Sequence, residues 1–178
     1  MIKKPLTTAF CVIMLLTGGI SVAEKSSGEY VDDSTLTARV KLALIEDSAS
    51  NAMDINVETS KGVVQLAGFV GSEKTISRAG EVAAETEGVV EVSNRLRVHT
   101  KKRSVGRTLD DTVLAAKVKL ALTENDETSA HKVNVEIRAG VVELSGFVTT
   151  YAERDAAVKL VSAIDDVKDV INSIDITR

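Results

Sequence analysis

The chain contains few of the residues on which catalytic and metal sites most often depend. Among its 178 residues are one cysteine, two histidines and no tryptophan. The cysteine, Cys11, lies in an N-terminal segment that we predict is removed, which leaves the mature chain without a disulfide or a thiol nucleophile. The histidines, His99 and His131, lack a spacing that chelates a metal ion. We therefore predict a protein that is not an enzyme and that binds no metal or cofactor.

Acidic residues outnumber basic ones, 26 to 22, and this argues against nucleic acid as a partner. The full chain carries a net charge of −4. The loss of Lys3 and Lys4 with the N-terminal segment makes the mature chain more negative still. Because a negative protein is repelled by a phosphate backbone, we predict no nucleic-acid partner.

The segment 1–23 has the pattern of a secretory signal peptide. An apolar run from about Leu6 to Leu16 follows the two lysines, and Ser21-Val22-Ala23 forms a small-residue cleavage site. One alternative is a spanning helix, but the run is shorter than the roughly 20 apolar residues that spanning requires. A second alternative is lipidation at Cys11, which is preceded by a poor lipobox. We predict a periplasmic protein with no integral membrane span after processing, whose mature chain begins with a segment over 24–31.

The rest of the chain is a tandem duplication. Asp32 to Val98 aligns without a gap with Asp110 to Ile176, at a constant offset of 78 residues. Similarity that persists in one register over a whole unit indicates two copies of one compact fold. We therefore predict two domains, at 32–98 and 109–178, joined by a linker over 99–108.

Each copy has the pattern of a helix, a β-hairpin, a second helix and a final strand. Asp32 and Asp33 supply N-cap oxygens to a first helix whose apolar residues recur every three or four positions. Two runs of alternating apolar and polar residues then flank Gly62, and a second helix starts near Ser72, or near Thr150 in the second copy. The order α-β-β-α-β predicts an α+β fold in which a small three-stranded mixed sheet has its helices on one face. The other sheet face is left for solvent, the sister domain or a partner.

Four glycines recur in equivalent pairs. Gly62 and Gly140 stand where the hairpin reverses, a position that favours a positive φ. Gly68 and Gly146 fall on the inward phase of a strand, where a missing side chain lets a helix approach the sheet closely. We interpret both pairs as structural, because no glycine-rich loop precedes a helix as a phosphate-binding loop does.

One amide also recurs. Asn94 and Asn172 occupy the inward phase of the last strand in the two copies. We interpret them as buried amides that satisfy backbone groups, with a binding role as the alternative.

The element order, the G-V-V-x-L-x-G-x-V hairpin that begins at Gly62 and Gly140, and the V-x-N-x-[LI]-x-[VI] ending together resemble the BON domain. The resemblance covers nearly all of the mature chain and is particularly close to osmotically inducible periplasmic proteins with two such domains and no lipid anchor. It implies an envelope-stress protein without catalysis. BON proteins are associated with phospholipid binding, and the soluble two-domain type also with periplasmic chaperoning. The resemblance supplies no catalytic residue.

Two sets of residues are candidates for contact with lipid or with a client protein. Phe69 and Phe147 have the strand phase that opposes the helices, so they are exposed unless the linker or the sister sheet covers them. Tyr151, Val105 and Leu109 are the nearest apolar side chains for insertion. The linker carries four cations that suit anionic headgroups, although a purely solvated linker is the alternative. These cations are Lys101, Lys102, Arg103 and Arg107.

The sequence leaves three functions open. The favoured one is weak association with an anionic phospholipid surface in the periplasm, under osmotic or related stress. A soluble chaperone for unfolded periplasmic proteins would use the same exposed residues. A structural module would pair with another protein through a free sheet edge. The oligomeric state is not indicated.

Overall fold

The computed structural model describes residues 32–47, 54–99 and 105–177, without the side chains of Val105 and Arg107. The predicted signal peptide and the segment 24–31 lie outside these residues. The first copy comprises α1 (Asp33–Glu46), β1 (Asn56–Ser60), β2 (Val63–Ala67), β3 (Phe69–Val70), α2 (Glu73–Glu85), β4 (Glu91–Asn94) and β5 (Arg97–Val98). The second comprises α3 (Val105–Glu124), a 3₁₀ turn (Ala130–Lys132), β6 (Val133–Arg138), β7 (Val141–Val148), α4 (Tyr151–Ser162) and β8 (Asp169–Ile176).

The two copies share one topology, and the predicted α+β order is confirmed. β1 pairs antiparallel with β2, and β2 pairs parallel with β4 across the crossover through α2. The second copy repeats this arrangement with β6, β7 and β8. Even the register repeats, since Val57 lies opposite Leu66 and Val135 lies opposite Leu144.

The first sheet is less regular than the second. Its central strand is interrupted at Gly68, which leaves β3 and β5 as a separate parallel pair. Backbone bonds continue across the break, from Arg95 N to Leu66 O at 2.7 Å and from Arg97 N to Gly68 O at 3.0 Å. In the second copy β7 and β8 run unbroken through the equivalent positions.

Each domain has its own hydrophobic core between the two helices and one face of the sheet. Inward residues alternate along the strands, as Val64 and Leu66 do in β2 and Val142 and Leu144 do in β7. The helices contribute a stripe at helical spacing. The stripe residues are Leu36, Val40 and Leu44 in α1, and Leu114, Val118 and Leu122 in α3.

The hairpin turns need the predicted glycines and one partner that the sequence pattern does not reveal. Gly62 and Gly140 have φ values of 78° and 82°, and the residues before them also have positive φ, as a type I′ turn requires. Asp33 accepts hydrogen bonds from the N–H groups of Lys61, at 2.7 Å, and Gly62, at 2.9 Å. Asp111 repeats the contact in the second copy. These aspartates therefore tie the first helix to the hairpin, whereas we expected them to cap that helix.

The expected role of Gly68 and Gly146 is wrong in one respect. Both have positive φ, 130° and 120°. A Cβ at Gly68 would overlap the carbonyl oxygen of Asp54, and a Cβ at Gly146 would overlap that of Lys132. The close neighbour is thus the backbone leading into the adjacent strand, and not a helix. The missing side chain permits an irregular backbone in the centre of the sheet.

The second helices begin where predicted. Ser72 Oγ accepts a hydrogen bond from Thr75 N at 3.2 Å. Thr150 and Glu153 form the full capping box, with Glu153 N donating to Thr150 Oγ1 at 3.1 Å. Hydrogen bonds from Thr149, of which that from the backbone N–H has the largest effect, lower the pKa of Glu153.

The expected burial of the two asparagines is wrong, since both are exposed. The predicted hydrogen bonds between these side chains and backbone groups are present. Asn94 Nδ2 donates to Ile76 O at 2.9 Å, and Asn94 Oδ1 accepts from Leu96 N at 3.2 Å. Asn172 Oδ1 accepts from Ile174 N at 3.0 Å. The side chains stabilise the last strand at its surface, where water competes for the same groups.

Candidate functional site

The outer faces of the two sheets cover each other. Gln65, at the centre of β2, is 1% exposed because its side chain reaches the backbone of the other sheet. Its Nε2 donates to Ser173 O at 2.8 Å, and its Oε1 accepts from Gly146 N at 2.7 Å. Of the three possibilities for the free face, the structure shows the sister domain.

The contacts between the domains follow the duplication. Glu143 is the counterpart of Gln65 and is also 1% exposed. Gly146 N donates to Gln65 Oε1. Gly68 is the counterpart of Gly146, and its N–H acts to lower the pKa of Glu143. Such reciprocity is the signature of a two-fold interface, here formed within one chain. Gly146, one of the irregular glycines of the sheets, therefore also serves the domain interface, because its N–H donates to Gln65 of the opposite domain.

Asp175 of β8 accepts hydrogen bonds from three side chains of the first domain. Its Oδ2 accepts from Gln65 Nε2 and Ser93 Oγ, both at 2.7 Å, and its Oδ1 accepts from Arg95 Nη2 at 2.7 Å. Burial acts to raise the pKa of Asp175, but the bonds from Ser93, Gln65 and Arg95 outweigh it and leave that pKa lowered. The carboxylate is therefore stabilised in its charged form and holds the two domains together.

Two further polar contacts lie on the opposite edge of the interface. Asn134 Nδ2 donates to Glu58 Oε1 at 2.8 Å. Arg138 Nη2 donates to Asp54 Oδ1 at 2.6 Å, from a largely buried guanidinium. Charge-assisted bonds with one buried partner are stronger than fully exposed ion pairs. Polar contacts thus lie at both edges of the interface as well as at its centre.

Two buried atoms of the described residues, Arg138 Nε and Glu143 Oε2, are exceptions to this pattern of hydrogen bonding. Glu143 Oε1 accepts from Ser173 Oγ at 2.7 Å, but within the described part of the chain the buried Oε2 has no hydrogen-bond partner. Burial raises the pKa of Glu143. Ser173, Arg97 and Gly68 act to lower this pKa, but their combined effect is smaller, so the pKa stays above its ordinary value. The folded protein therefore binds a proton here more tightly than the unfolded chain. This contribution to stability is complete below the unfolded pKa and is lost as the pH rises through the raised value.

We expect Glu143→Gln to stabilise the protein at neutral pH by about 1–3 kcal/mol, since an uncompensated buried charge is removed. Gln65 shows that an amide fits the equivalent position. The melting temperatures of variant and wild type, measured by circular dichroism, should converge as the pH falls below the raised pKa. Glu85→Gln is the control, because it removes the same charge from an exposed position. A stability difference that does not depend on pH would show that burial does not penalise the Glu143 carboxylate.

The two phenylalanines differ in exposure. Phe69 is 5% exposed, and its ring meets His99 edge-on with centroids 5.7 Å apart. Of the two alternatives for Phe69, exposure or cover by the linker or the sister sheet, the structure shows a buried ring that the first residue of the predicted linker contacts. Phe147 is half-buried and lines a groove between the domains together with Tyr151. A direct contact of Phe69 with lipid or client would require His99 to move.

The groove beside Phe147 has a volume of about 510 Å³. Cations and aromatic rings line it, together with the bound carboxylate of Asp175. Tyr151 is exposed, and the Arg154 guanidinium lies 5.0 Å from its ring centroid. Lys61 and Arg95 face it from the first domain. The groove is mixed in polarity.

The predicted cationic linker is only partly described. Lys101, Lys102 and Arg103 lie outside the described residues. Arg107 falls within the first turns of α3, because that helix begins at Val105, inside the segment that we predicted as linker. Three of the four cations therefore precede α3 in the sequence, and the fourth, Arg107, belongs to it.

The outward faces of the first helices carry exposed apolar side chains, among which the sequence analysis proposed only Leu109 as a contact residue. Leu120 is 58% exposed on α3, where Leu109 and Val113 lie on the same side of the helix and are also exposed. On α1 the counterpart Leu42 is 56% exposed, next to exposed Ile45. Neither leucine packs in a core or between the domains. Their spacing, opposite the buried stripe, was the available signal.

Across 32–47, 54–99 and 105–177, no helix is long and apolar enough to cross a membrane. The same residues contain no group of three histidine, cysteine, aspartate or glutamate side chains that could hold a metal ion.

Comparison with known proteins gives one family. The family model described as "BON domain" matches residues 32–100 and 110–178. The chain is 39% identical over 148 residues to Osmotically-inducible protein Y of Escherichia coli (strain K12), covering 83% of this chain and 74% of that protein. It is 32% identical over 167 residues to Outer membrane lipoprotein DolP of Haemophilus influenzae, covering 90% of this chain and 86% of that protein.

A third curated relative is the 21 kDa hemolysin of Actinobacillus pleuropneumoniae, 32% identical over 154 residues, with 86% of this chain and 78% of that protein covered. Among solved structures, CdsD, a structural protein of the type III secretion system of Chlamydia trachomatis, matches at 13% identity and a TM-score of 0.33. The match covers 82% of this chain and 64% of the CdsD chain, and a likeness at that level carries no argument.

Proposed function

The chain belongs to the BON domain family, and from that premise we propose that it is a non-enzymatic periplasmic protein of the cell envelope, active in osmotic stress, that associates weakly with anionic phospholipid surfaces. The names of two relatives support the setting, since one is called osmotically inducible and another an outer membrane lipoprotein. The predicted signal peptide supports export to the periplasm.

The outward face of α3 is the observation that carries the lipid proposal. Its exposed apolar side chains, Leu109, Val113 and Leu120, lie on one side of the helix. Lys117 and Lys119 stand exposed on the two flanks of this stripe, where Lys117 pairs with Asp166 and the exposed Glu124 lies on the Lys117 flank. An apolar stripe bounded by cations is the pattern of a helix that lies in the membrane interface.

The expected affinity is low. Burying a fully exposed leucine or valine gains about 1.5–3 kcal/mol, and each cation near an anionic surface adds about 1 kcal/mol. The three side chains are already partly buried, so the stripe and its lysines supply at most roughly 6 kcal/mol, between millimolar and micromolar affinity. Lys101, Lys102, Arg103 and Arg107 would add to the attraction, while Tyr151 and Phe147 are further candidates for contact.

Co-sedimentation with vesicles tests this proposal. We expect the mature chain to sediment with anionic vesicles at low salt, less at high salt, and little with neutral vesicles, because the cations contribute through a screened attraction. Val113→Gln combined with Leu120→Gln should weaken binding by at least about tenfold, since two partly exposed side chains lose roughly 2–3 kcal/mol of insertion energy. Val90→Gln, an exposed apolar residue outside the helix faces, is the control. Absence of sedimentation under every condition would contradict the proposal.

A soluble chaperone for unfolded periplasmic proteins is the second candidate. The exposed leucines on α1 and α3 favour it, since apolar side chains on a soluble domain also suit unfolded clients. Capture of clients through apolar contact should persist at high salt, unlike vesicle binding. Suppression of client aggregation without vesicle binding would favour this function. A structural interaction module remains a third proposal, for which β1, β4, β6 and β8 supply the sheet edges.

A further inference from the structure

We propose that the outer edge of β8 binds an extended segment of an unfolded polypeptide as an added strand, and that the Asn172 side chain closes this edge until the segment displaces it. The inference rests on the chaperone function proposed above as the second candidate. It adds the surface that binds the client and the form that the client takes there.

The backbone of β8 presents a row of hydrogen-bonding groups along its outer edge. Thr177 N donates to Val148 O at 2.8 Å and therefore points toward β7. Because successive residues of a strand direct their N–H and C=O groups to opposite sides, those of Asn172, Ile174 and Ile176 point away from β7. Within the described residues β8 is the last strand of its sheet, so no strand pairs with these groups.

Asn172 covers one of the outward groups with its own side chain. Its Oδ1 accepts from Ile174 N, at 3.0 Å. Proteins commonly protect sheet edges against indiscriminate pairing, and this bond has that effect because it occupies the N–H that an incoming strand would use. Asn172 is exposed, so water competes for its groups and the bond is released at little cost.

The equivalent edge in the first domain is closed more firmly. Asn94 Oδ1 accepts from Leu96 N at 3.2 Å, and Asn94 Nδ2 also donates to Ile76 O of α2 at 2.9 Å. Gly80 makes room for this second bond, since a Cβ there would lie 2.8 Å from Asn94 Nδ2. The closing side chain is therefore fixed to a helix in the first domain.

This second attachment does not recur at β8. Val158 of α4 stands at the position equivalent to Gly80, and within the described part of the chain the Asn172 side chain bonds to Ile174 alone. β8 also runs unbroken over Asp169–Ile176, whereas the last strand of the first domain is split into β4 and β5. β8 is therefore the longer template and has the weaker closure.

A groove runs along this edge of β8. Six consecutive residues, 172–177, line the groove of about 510 Å³ that also contains Phe147. Tyr151 and Arg154 of α4 stand on the helix side of the edge, and Arg95 of the first domain stands on the other side. Tyr151 is exposed and offers its ring to an apolar side chain of a bound segment.

The chemistry of the edge identifies the occupant. The outward groups alternate between donor and acceptor and repeat at every second residue, roughly 7 Å along the strand. Another extended backbone matches this repeat, which is the basis of strand addition in peptide recognition. The two walls of the groove admit a single strand, but they would collide with the packed layers that accompany the edge of a folded sheet. The groove therefore suits a segment of an unfolded chain better than a second folded copy.

Fluorescence anisotropy with a labelled peptide tests this inference. The probe is a peptide of about ten residues that alternates valine and threonine, long enough to cover the strand. A second peptide with proline at its central positions is the control, because proline cannot donate to a ladder. We expect the mature chain to bind the first peptide and not the second. Suppression of the aggregation of a heat-unfolded protein is measured in parallel, so that the chaperone function has its own readout.

Two substitutions of Asn172 should act in opposite directions. Asn172→Ala removes the competing bond and should tighten binding of the probe roughly two- to tenfold. Asn172→Pro also removes an outward N–H and should weaken binding about tenfold, while the pairing with β7 stays intact. Asn125→Ala is the matched control, because Asn125 Oδ1 accepts from Glu127 N at 2.9 Å in the loop after α3. It should leave the affinity unchanged, and circular dichroism shows that each variant is folded.

The outcomes separate the edge from the chaperone function. Equal affinity of Asn172→Ala and wild type would overturn the inference. Dimerisation of Asn172→Ala in light scattering, without tighter binding of the probe, would assign the edge to a second copy and overturn it as well. Suppression of aggregation without binding of the probe would exclude the edge and leave the chaperone function standing. Binding of the probe without suppression would overturn the chaperone function alone, and the absence of both would overturn both.

Discussion

Replacing Gly146 with alanine is expected to destabilise the second domain by more than about 3 kcal/mol. Alanine at a φ of 120° is strained, and its Cβ would overlap the carbonyl oxygen of Lys132 in the neighbouring backbone. The backbone has to shift to relieve the overlap. That shift would also displace the N–H that donates to Gln65, so the domain interface weakens together with the sheet. Gly68→Ala should have the same effect on the first domain, where the overlap is with Asp54 O.

Thermal unfolding followed by circular dichroism measures this effect. For a chain of this size a loss of 1 kcal/mol lowers the melting temperature by about 2–4 °C, so Gly146→Ala should lower it by roughly 10 °C. Gly106→Ala is the matched control, because it lies inside α3 and a methyl group there would meet no described atom of another element within 4 Å. There alanine should gain up to about 1 kcal/mol through helix propensity. A decrease of less than about 2 °C for Gly146→Ala would show that the sheet does not require this backbone conformation.

The topology could be predicted from the sequence because its signals are local. The hairpin turn at Gly62, the capping box at Thr150 and the alternation around Leu66 each depend on a few adjacent residues. The duplication added an independent check, since each signal occurs twice in one register. The interruption of the first sheet at Gly68 escaped prediction, because an equivalent glycine sits in an unbroken strand of the second copy.

What covers a surface could not be predicted in the same way. Alternation shows which residues share a face of a strand, but not what packs against that face. Gln65 and Glu143 have the polar pattern of solvent-facing positions and are nevertheless buried by the sister domain. Phe69 is buried by His99, a residue that follows the last strand. Asp33 binds the hairpin turn 28 residues further on, a contact that helix capping rules do not describe.

What covers each sheet face also decides where the candidate contact surfaces lie. Sequence reasoning placed the aromatic contact at Phe69 and Phe147, on the sheet faces that the domains turn toward each other. With those faces closed, the exposed apolar area lies on the outer helices instead, around Leu42 and Leu120. The closed interface therefore decides which surfaces are available for lipid. Opening it would exchange one set of contact residues for the other.

The second large effect is expected from Leu144→Ala, which should lower the free energy of unfolding of its domain by about 2–5 kcal/mol. Leu144 is fully buried in the second core, as its counterpart Leu66 is in the first. A core in a domain of this size supplies only about 3–5 kcal/mol of net stability. The substitution should therefore bring the second domain close to unfolding, and Leu66→Ala should do the same to the first.

Urea unfolding followed by far-UV circular dichroism measures this loss, since the chain has no tryptophan to report by fluorescence. Leu120→Ala is the matched control, because the same atoms are removed from an exposed helical position and the cost should stay within about 0.5 kcal/mol. In Leu144→Ala the curve should separate into two transitions, with the first domain unfolding last. The first domain should also unfold at lower urea than in wild type, because the sheet that covers Gln65 and binds it through Gly146 and Ser173 is lost before it. A first domain that keeps its wild-type midpoint would show that the interface contributes no stability, and that the two copies are joined only by the chain between them.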